Sequence, residues 1–135
     1  MQKKILIMGF LTLLTACQTT DAVQNTNPSV QVPSNHKALI IQYVKDHLKD
    51  PYSIRGAQIA APVQGFAGLI WGGERPAACV KLNAKNSFGA YIGLKTHAFI
   101  FKDGAIAATF DETPLACQNV KPHQYVAFTE LENIK

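Results

Sequence analysis

The chain is predicted to fold as an α+β domain, with an N-terminal amphipathic helix packed on a small, mostly antiparallel sheet of three to four strands. Three observations predict it. Residues 36–48 place their apolar side chains on one half of a helical wheel. Residues 93–110 alternate in polarity about Asp103-Gly104, a strong two-residue hairpin signal. Between these segments, residues 53–61 and 77–83 read as strands.

Before the domain comes a leader. Lys3 and Lys4 are followed by an apolar run at residues 5–14, which as a helix rises only about 15 Å, half the hydrocarbon thickness of a bilayer. Small residues then precede a cysteine in Leu14-Thr15-Ala16-Cys17. This ending resembles a bacterial lipobox. The resemblance implies cleavage before Cys17 and acyl chains on its sulfur and new amino group. Each buried methylene contributes about 0.8 kcal/mol, so two or more chains anchor stably where one does not. The alternative is an ordinary cleaved signal in which Cys17 is incidental. In lipoproteins of two-membrane bacteria an Asp after the cysteine retains the protein in the inner membrane. Gln18 stands there, which implies the outer membrane, with the domain facing the periplasm.

Residues 18–34 are rich in Gln, Thr, Asn, Pro and Ser and hold no aromatic residue. Such a segment cannot bury enough surface to offset its ordering entropy, so it reads as a tether with a reach of roughly 20 Å. The expected organisation is therefore a leader at 1–16, a lipidated Cys17 with its tether to 34, and one α+β domain over 35–135. Without Lys3 and Lys4 the chain keeps eleven basic against nine acidic residues, a net charge of +2 rather than +4. The basic residues are scattered, without the clusters and interleaved aromatics of a nucleic-acid binder, and no nucleic-acid partner is expected.

Two cysteines remain beside Cys17. In an oxidising compartment Cys79 and Cys117 are expected to form a disulfide closing a loop of about 39 residues. The alternatives are a redox pair, or a zinc site shared with His97 and His123. There is no C-x-x-C and no close Cys/His spacing to favour either, so no metal or cofactor is expected.

Ser34 or Asn35 is positioned to cap the helix with a side-chain oxygen. Leu39, Ile40, Ile41, Tyr43, Val44, His47 and Leu48 fall on its apolar half, and Gln42, Lys45, Asp46 and Lys49 on the other. Asp50 precedes Pro51 and disfavours the α conformation, which is predicted to end the helix. The strand at 53–61 is interrupted by Gly56. In 77–83, Val80 and Leu82 point one way, Cys79 and Lys81 the other. The hairpin register pairs Lys102 with Ala105, Phe101 with Ile106, Phe99 with Ala108 and His97 with Phe110. Phe99, Phe101, Ile106 and Phe110 are then core, His97 lies at its margin, and Ala98, Ile100, Ala107 and Thr109 face away. The tail at 125–134 fits a short strand or a helical turn equally.

Residues 83–93, Asn-Ala-Lys-Asn-Ser-Phe-Gly-Ala-Tyr-Ile-Gly, resemble the N-A-K-N-S-F-G-x-Y-x-G signature of a family of small, mostly uncharacterised bacterial envelope proteins. In that family a helix and a D-P-x-S element come first, as Asp50-Pro51-Tyr52-Ser53 does here, and a cysteine lies just upstream, as Cys79 does. The resemblance spans roughly residues 38–110. It implies a small helix-plus-sheet domain and brings no catalytic residue. The chain departs from the pattern at 62–76, where a shorter and more polar connection is usual. It also lacks the terminal cysteine of many members, for which Cys117 is the substitute. The signature's polar residues Asn83, Lys85, Asn86 and Tyr91 have two readings. They satisfy their own backbone in a bulged connection, or they form a polar cluster for a carbohydrate, a peptide or a partner.

The second unusual stretch, residues 63–74, sets four glycines among Phe66, Leu69, Ile70 and the chain's one tryptophan, Trp71. Without a following Gly-Lys-Ser/Thr it is no phosphate loop. Either it folds back onto the core, or it presents Phe66 and Trp71 to a partner or a membrane. Ser87, His97 and Asp111 make no catalytic arrangement by spacing, and no enzyme activity is expected. The function expected is that of a membrane-anchored, non-catalytic interaction or structural module in the envelope. Its partners would be the bilayer, through Cys17, and an envelope protein, as an accessory to an envelope assembly. The alternative is a periplasmic small-ligand binder or enzyme inhibitor.

Overall fold

A computed structural model describes residues 30–112 and 114–135. The leader, Cys17 and residues 18–29 lie outside the described residues. The domain is α+β. Its elements run α1 (His36–His47), β1 (Arg55–Ala60), β2 (Val63–Phe66), β3 (Glu74–Asn83), β4 (Lys95–Lys102), β5 (Ala105–Phe110), β6 (Tyr125–Ala127) and α2 (Thr129–Glu132). The sheet has six strands in the order β5-β4-β3-β1-β6, with β2 paired to β3, and its pairings are antiparallel. Three to four strands were expected. The extra ones are short, four residues in β2 and three in β6. Too few residues lie in either for a period-2 pattern to show.

β1 and β2 lie end to end along the edge of β3 opposite β4, separated by Ala61 and Pro62. Pro62 has no amide to give a ladder, which accounts for the break. β3 is the spine: it starts at the loop after β2 and ends at the signature loop, so those two loops sit about 30 Å apart at opposite ends of one strand.

Alternation on β3 divides the interior in two. Ala78, Val80 and Leu82 join Ile40, Val44, Ile59, Phe99, Phe101, Phe128 and Leu131 beneath the two helices. Ala77 and Cys79 join Ala60, Ala98, Ile100, Ala116 and Cys117 on the other face. α1 buries Ile40 and Val44 fully. No side chain caps its start; the His36 Nδ1 lies 3.0 Å from the Pro33 carbonyl instead. The helix also ends earlier than Pro51 requires, because Leu48 is already extended (φ −75°, ψ 140°). His47 stacks on the Tyr43 ring at 3.9 Å, a packing role at the surface.

The hairpin turn forms as the sequence predicts. Asp103 and Gly104 both have positive φ, and Lys102 pairs with Ala105 and Phe101 with Ile106. Beyond that a bulge between Ile100 and Phe101 overturns the expected register: Ile100 pairs with Ala108, Phe99 with Thr109 and Ala98 with Phe110. One extra residue flips every later side chain to the other face. Phe110 therefore packs in the second cluster, not with Phe99 and Phe101. Thr109 turns toward α1, where its hydroxyl meets the Tyr43 hydroxyl at 3.1 Å. Asp111, not Phe110, reaches His97, with Oδ1 2.6 Å from Nδ1.

The second face is not bare. Residues 114–124 cross it in two 3-10 turns, Leu115–Cys117 and Pro122–Gln124, and the Cys79–Cys117 disulfide pins them with Cα atoms 5.8 Å apart. A Cβ on Gly65 would stand 2.7 Å from the Ala116 Cα and 2.8 Å from its Cβ. Backbone so close has little room to yield. Gly65→Ala is expected to cost about 1–3 kcal/mol through overpacking, read as a lower denaturant midpoint at unchanged slope. An unchanged midpoint would mean that this segment does not rest on β2.

Candidate interaction surface

The signature loop is built from its own polar side chains. The Asn86 carboxamide oxygen accepts from the amides of Phe88 (2.9 Å) and Ala90 (3.1 Å), and the Asn83 oxygen accepts from Gly93 (3.1 Å). Ser53, from the Asp50–Ser53 element, ties the loop to the domain. Its hydroxyl donates to the Asp50 carbonyl and accepts from the Lys85 amide, and its carbonyl accepts from the Tyr91 hydroxyl (2.8 Å). The two sequence elements of the family resemblance thus touch in space. The Arg55 guanidinium covers the Tyr91 ring at 4.3 Å. Of the four candidate polar residues, Asn83 and Asn86 spend their side-chain oxygens inside the loop, and Tyr91 spends its hydroxyl on Ser53. Lys85 contributes its backbone amide, with its ammonium 5.7 Å from the Tyr91 ring. What the loop displays is Phe88, 94% exposed at its tip.

At the opposite end of β3 the glycine-rich stretch is an ordered knuckle. After Phe66, which pairs with Glu74, the Ala67 amide donates to the Gly73 carbonyl and the Gly73 amide to Gly68. Inside this frame Leu69–Trp71 makes one 3-10 turn, with Gly68 and Gly72 at φ +99° and +85°. The Arg75 Nε donates to the Trp71 carbonyl from below. Phe66 and Trp71, the residues named as candidates for contact, are 40% and 38% exposed; Leu69 and Ile70 are 85% and 95% exposed. The aliphatic pair is the projecting part, and sequence reasoning passed over it in favour of the aromatics. The available signal was two large aliphatics closely bracketed by glycines.

His97 sits between the two ends on β4. Its Nδ1 meets Asp111, while its Nε2 is buried without a hydrogen-bond partner. Among the described residues no side chain hydrogen-bonds to that Nε2. Beside it the Lys95 ammonium, 2.6 Å from Glu112, holds that carboxyl below the usual carboxylate range. Lys85, Ile92 and His97 line a depression of about 160 Å³ that Tyr91 does not reach. Other depressions reach about 320 Å³, at the low end of the range of small-molecule sites. The disulfide removes the thiolates that a zinc site with His97 and His123 would need. Among the described residues no group of three His, Cys, Asp or Glu could hold a metal ion. No helix among them is long and apolar enough to cross a membrane.

Compared with known proteins, the chain matches no family model, no curated protein and no solved structure.

Proposed function

We propose that this chain is a lipid-anchored envelope protein whose domain works, without catalysis, as an interaction module. The observation that carries this reading is the display of Leu69 and Ile70 on a hydrogen-bonded turn, with Phe88 displayed in the same manner at the other end of β3. Large apolar side chains held out on rigid turns lose little conformational entropy on binding, so their burial counts toward affinity. Small depressions and a His-Asp pair whose outer ring nitrogen meets no partner among the described residues lend no comparable support to a ligand site or an active site. The lipobox-like Leu14–Cys17 run supplies the anchor, and Gln18 favours the outer membrane with the domain in the periplasm. The family resemblance of the signature is to envelope proteins and supports the same compartment.

The test is photo-crosslinking in cells of the natively lipidated chain, with the photoreactive residue placed in turn at Ile70, Phe88 and Gln42. Gln42 lies on the exposed side of α1 and serves as the control. The expected result is an abundant envelope protein captured from at least one end of β3 and not from Gln42. Capture from neither end would remove the interaction reading.

A further inference from the structure

The two ends of β3 differ in their relation to the anchor, and the geometry points to the knuckle as a membrane-inserting element. We infer that Leu69, Ile70 and Trp71 dip into the bilayer that holds the acyl chains of Cys17. This rests on the anchor reading above and names the partner of one of its two ends.

The first argument is where the chain enters. His36 at the start of α1 sets its ring edge-on to Phe101, with centroids 6.4 Å apart. Phe101 follows Ile100, the partner of Ala77, three residues from the end of the knuckle at Glu74. At its other end α1 delivers Leu48 to the depressions beside Leu82 and His97, toward the signature loop. The start of α1 therefore lies at the knuckle end of the sheet. Twelve residues separate Cys17 from Val30, and even fully extended they span no more than about 45 Å. The acyl chains are thus attached nearer to the knuckle than to the Phe88 loop.

The second argument is chemical. The knuckle carries two nearly bare aliphatic side chains at its apex. Next to them are a tryptophan, less exposed, whose ring suits the headgroup boundary, and Arg75, bonded to the Trp71 carbonyl, whose long stem lets its charge stay in the polar layer. Bare aliphatic side chains beside a half-exposed tryptophan and an arginine are the side-chain types that a bilayer's core, headgroup boundary and polar layer accept. The amides of Ala67, Trp71, Gly72 and Gly73 are already bonded to carbonyls of the knuckle, so its insertion leaves those of Gly68, Leu69 and Ile70 to desolvate. With the knuckle seated, Phe88 points away from the membrane toward the periplasm, where a protein is within its reach.

Trp71 is the only tryptophan of the chain and reports directly. The lipidated full chain is reconstituted into vesicles of phosphatidylethanolamine and phosphatidylglycerol, with and without bromine on the acyl chains. Insertion to about 5–10 Å predicts blue-shifted Trp71 emission that brominated chains quench about twofold. The paired variant Leu69→Ser/Ile70→Ser, still lipidated and still folded by circular dichroism, is expected to lose the quenching. Anchored protein whose Trp71 is unquenched would overturn the knuckle assignment and leave the anchor standing. Crosslinking from Ile70 to a protein or to a second copy, in place of lipid, would do the same. A mature N-terminus that carries no acyl chain, on a protein that does not sediment with vesicles, would overturn both.

Discussion

Phe128→Ala is expected to lower the unfolding free energy by about 3–5 kcal/mol, the usual cost of emptying a fully buried phenylalanine site. Phe128 is wholly buried between β6 and α2. Its amide donates to the Ala57 carbonyl at 2.8 Å, and the Lys37 ammonium lies 5.3 Å from its ring centre. Leu131, also wholly buried, follows one turn later. The ring thus joins the C-terminal tail to α1 and to β1, and the alanine variant would leave a cavity that three separate segments line. A domain's whole stability is about 5–15 kcal/mol, so this one change takes a large share. Urea titration of the purified chain reads it. A loss below about 1 kcal/mol would show that the tail is not docked, and that β6 and α2 are not part of the folded unit.

The double variant Cys79→Ala/Cys117→Ala is expected to cost about 4 kcal/mol, the chain-entropy value for a loop of about 39 residues. For a domain of this size that corresponds to a fall in Tm on the order of 15–30 °C. The bond does more than close a loop. It holds Ala116 over Gly65 and so keeps residues 114–124 across the second apolar cluster, where Ala98, Ile100 and Phe110 would otherwise meet water. Thermal unfolding with and without reductant supplies the check: reductant should lower the Tm of the parent chain and leave that of the variant unchanged. A parent chain indifferent to full reduction would mean that the covering layer stays in place without the bond.

Some of the fold was legible because it depends on neighbours in the chain. The helical period between His36 and His47, the positive-φ turn at Asp103-Gly104 and the alternation of Val80 and Leu82 against Cys79 are all patterns a few residues long. The pairing of Cys79 with Cys117 was expected from the two cysteines left beside Cys17 and from the oxidising compartment that the leader implies. The bulge at Ile100/Phe101 was not legible, because no glycine or proline marks it. It arises where β5 must satisfy two clusters at once, putting Thr109 toward Tyr43 and Phe110 under the covering segment. The tail was ambiguous for a related reason: Phe128 and Leu131 acquire their burial from α1 and β1, which are far away in sequence.

The candidate surface shows the same division. Turn chemistry in the signature was readable, since Asn83 and Asn86 bond amides within the same loop. The tie from Ser53 to Lys85 and Tyr91 crosses more than thirty residues and was not.

The amino-acid order by itself thus determined the helix, the hairpin turn, the pair of cysteines and the glycine-bracketed apolar stretch, because each rests on local backbone preference or on composition. Only the tertiary structure decided which side chains of that stretch project, that Asp111 rather than Phe110 meets His97, and that the knuckle and the start of α1 share one end of the sheet. Exposure and proximity are set by surfaces that distant segments bring together, and no local pattern encodes them.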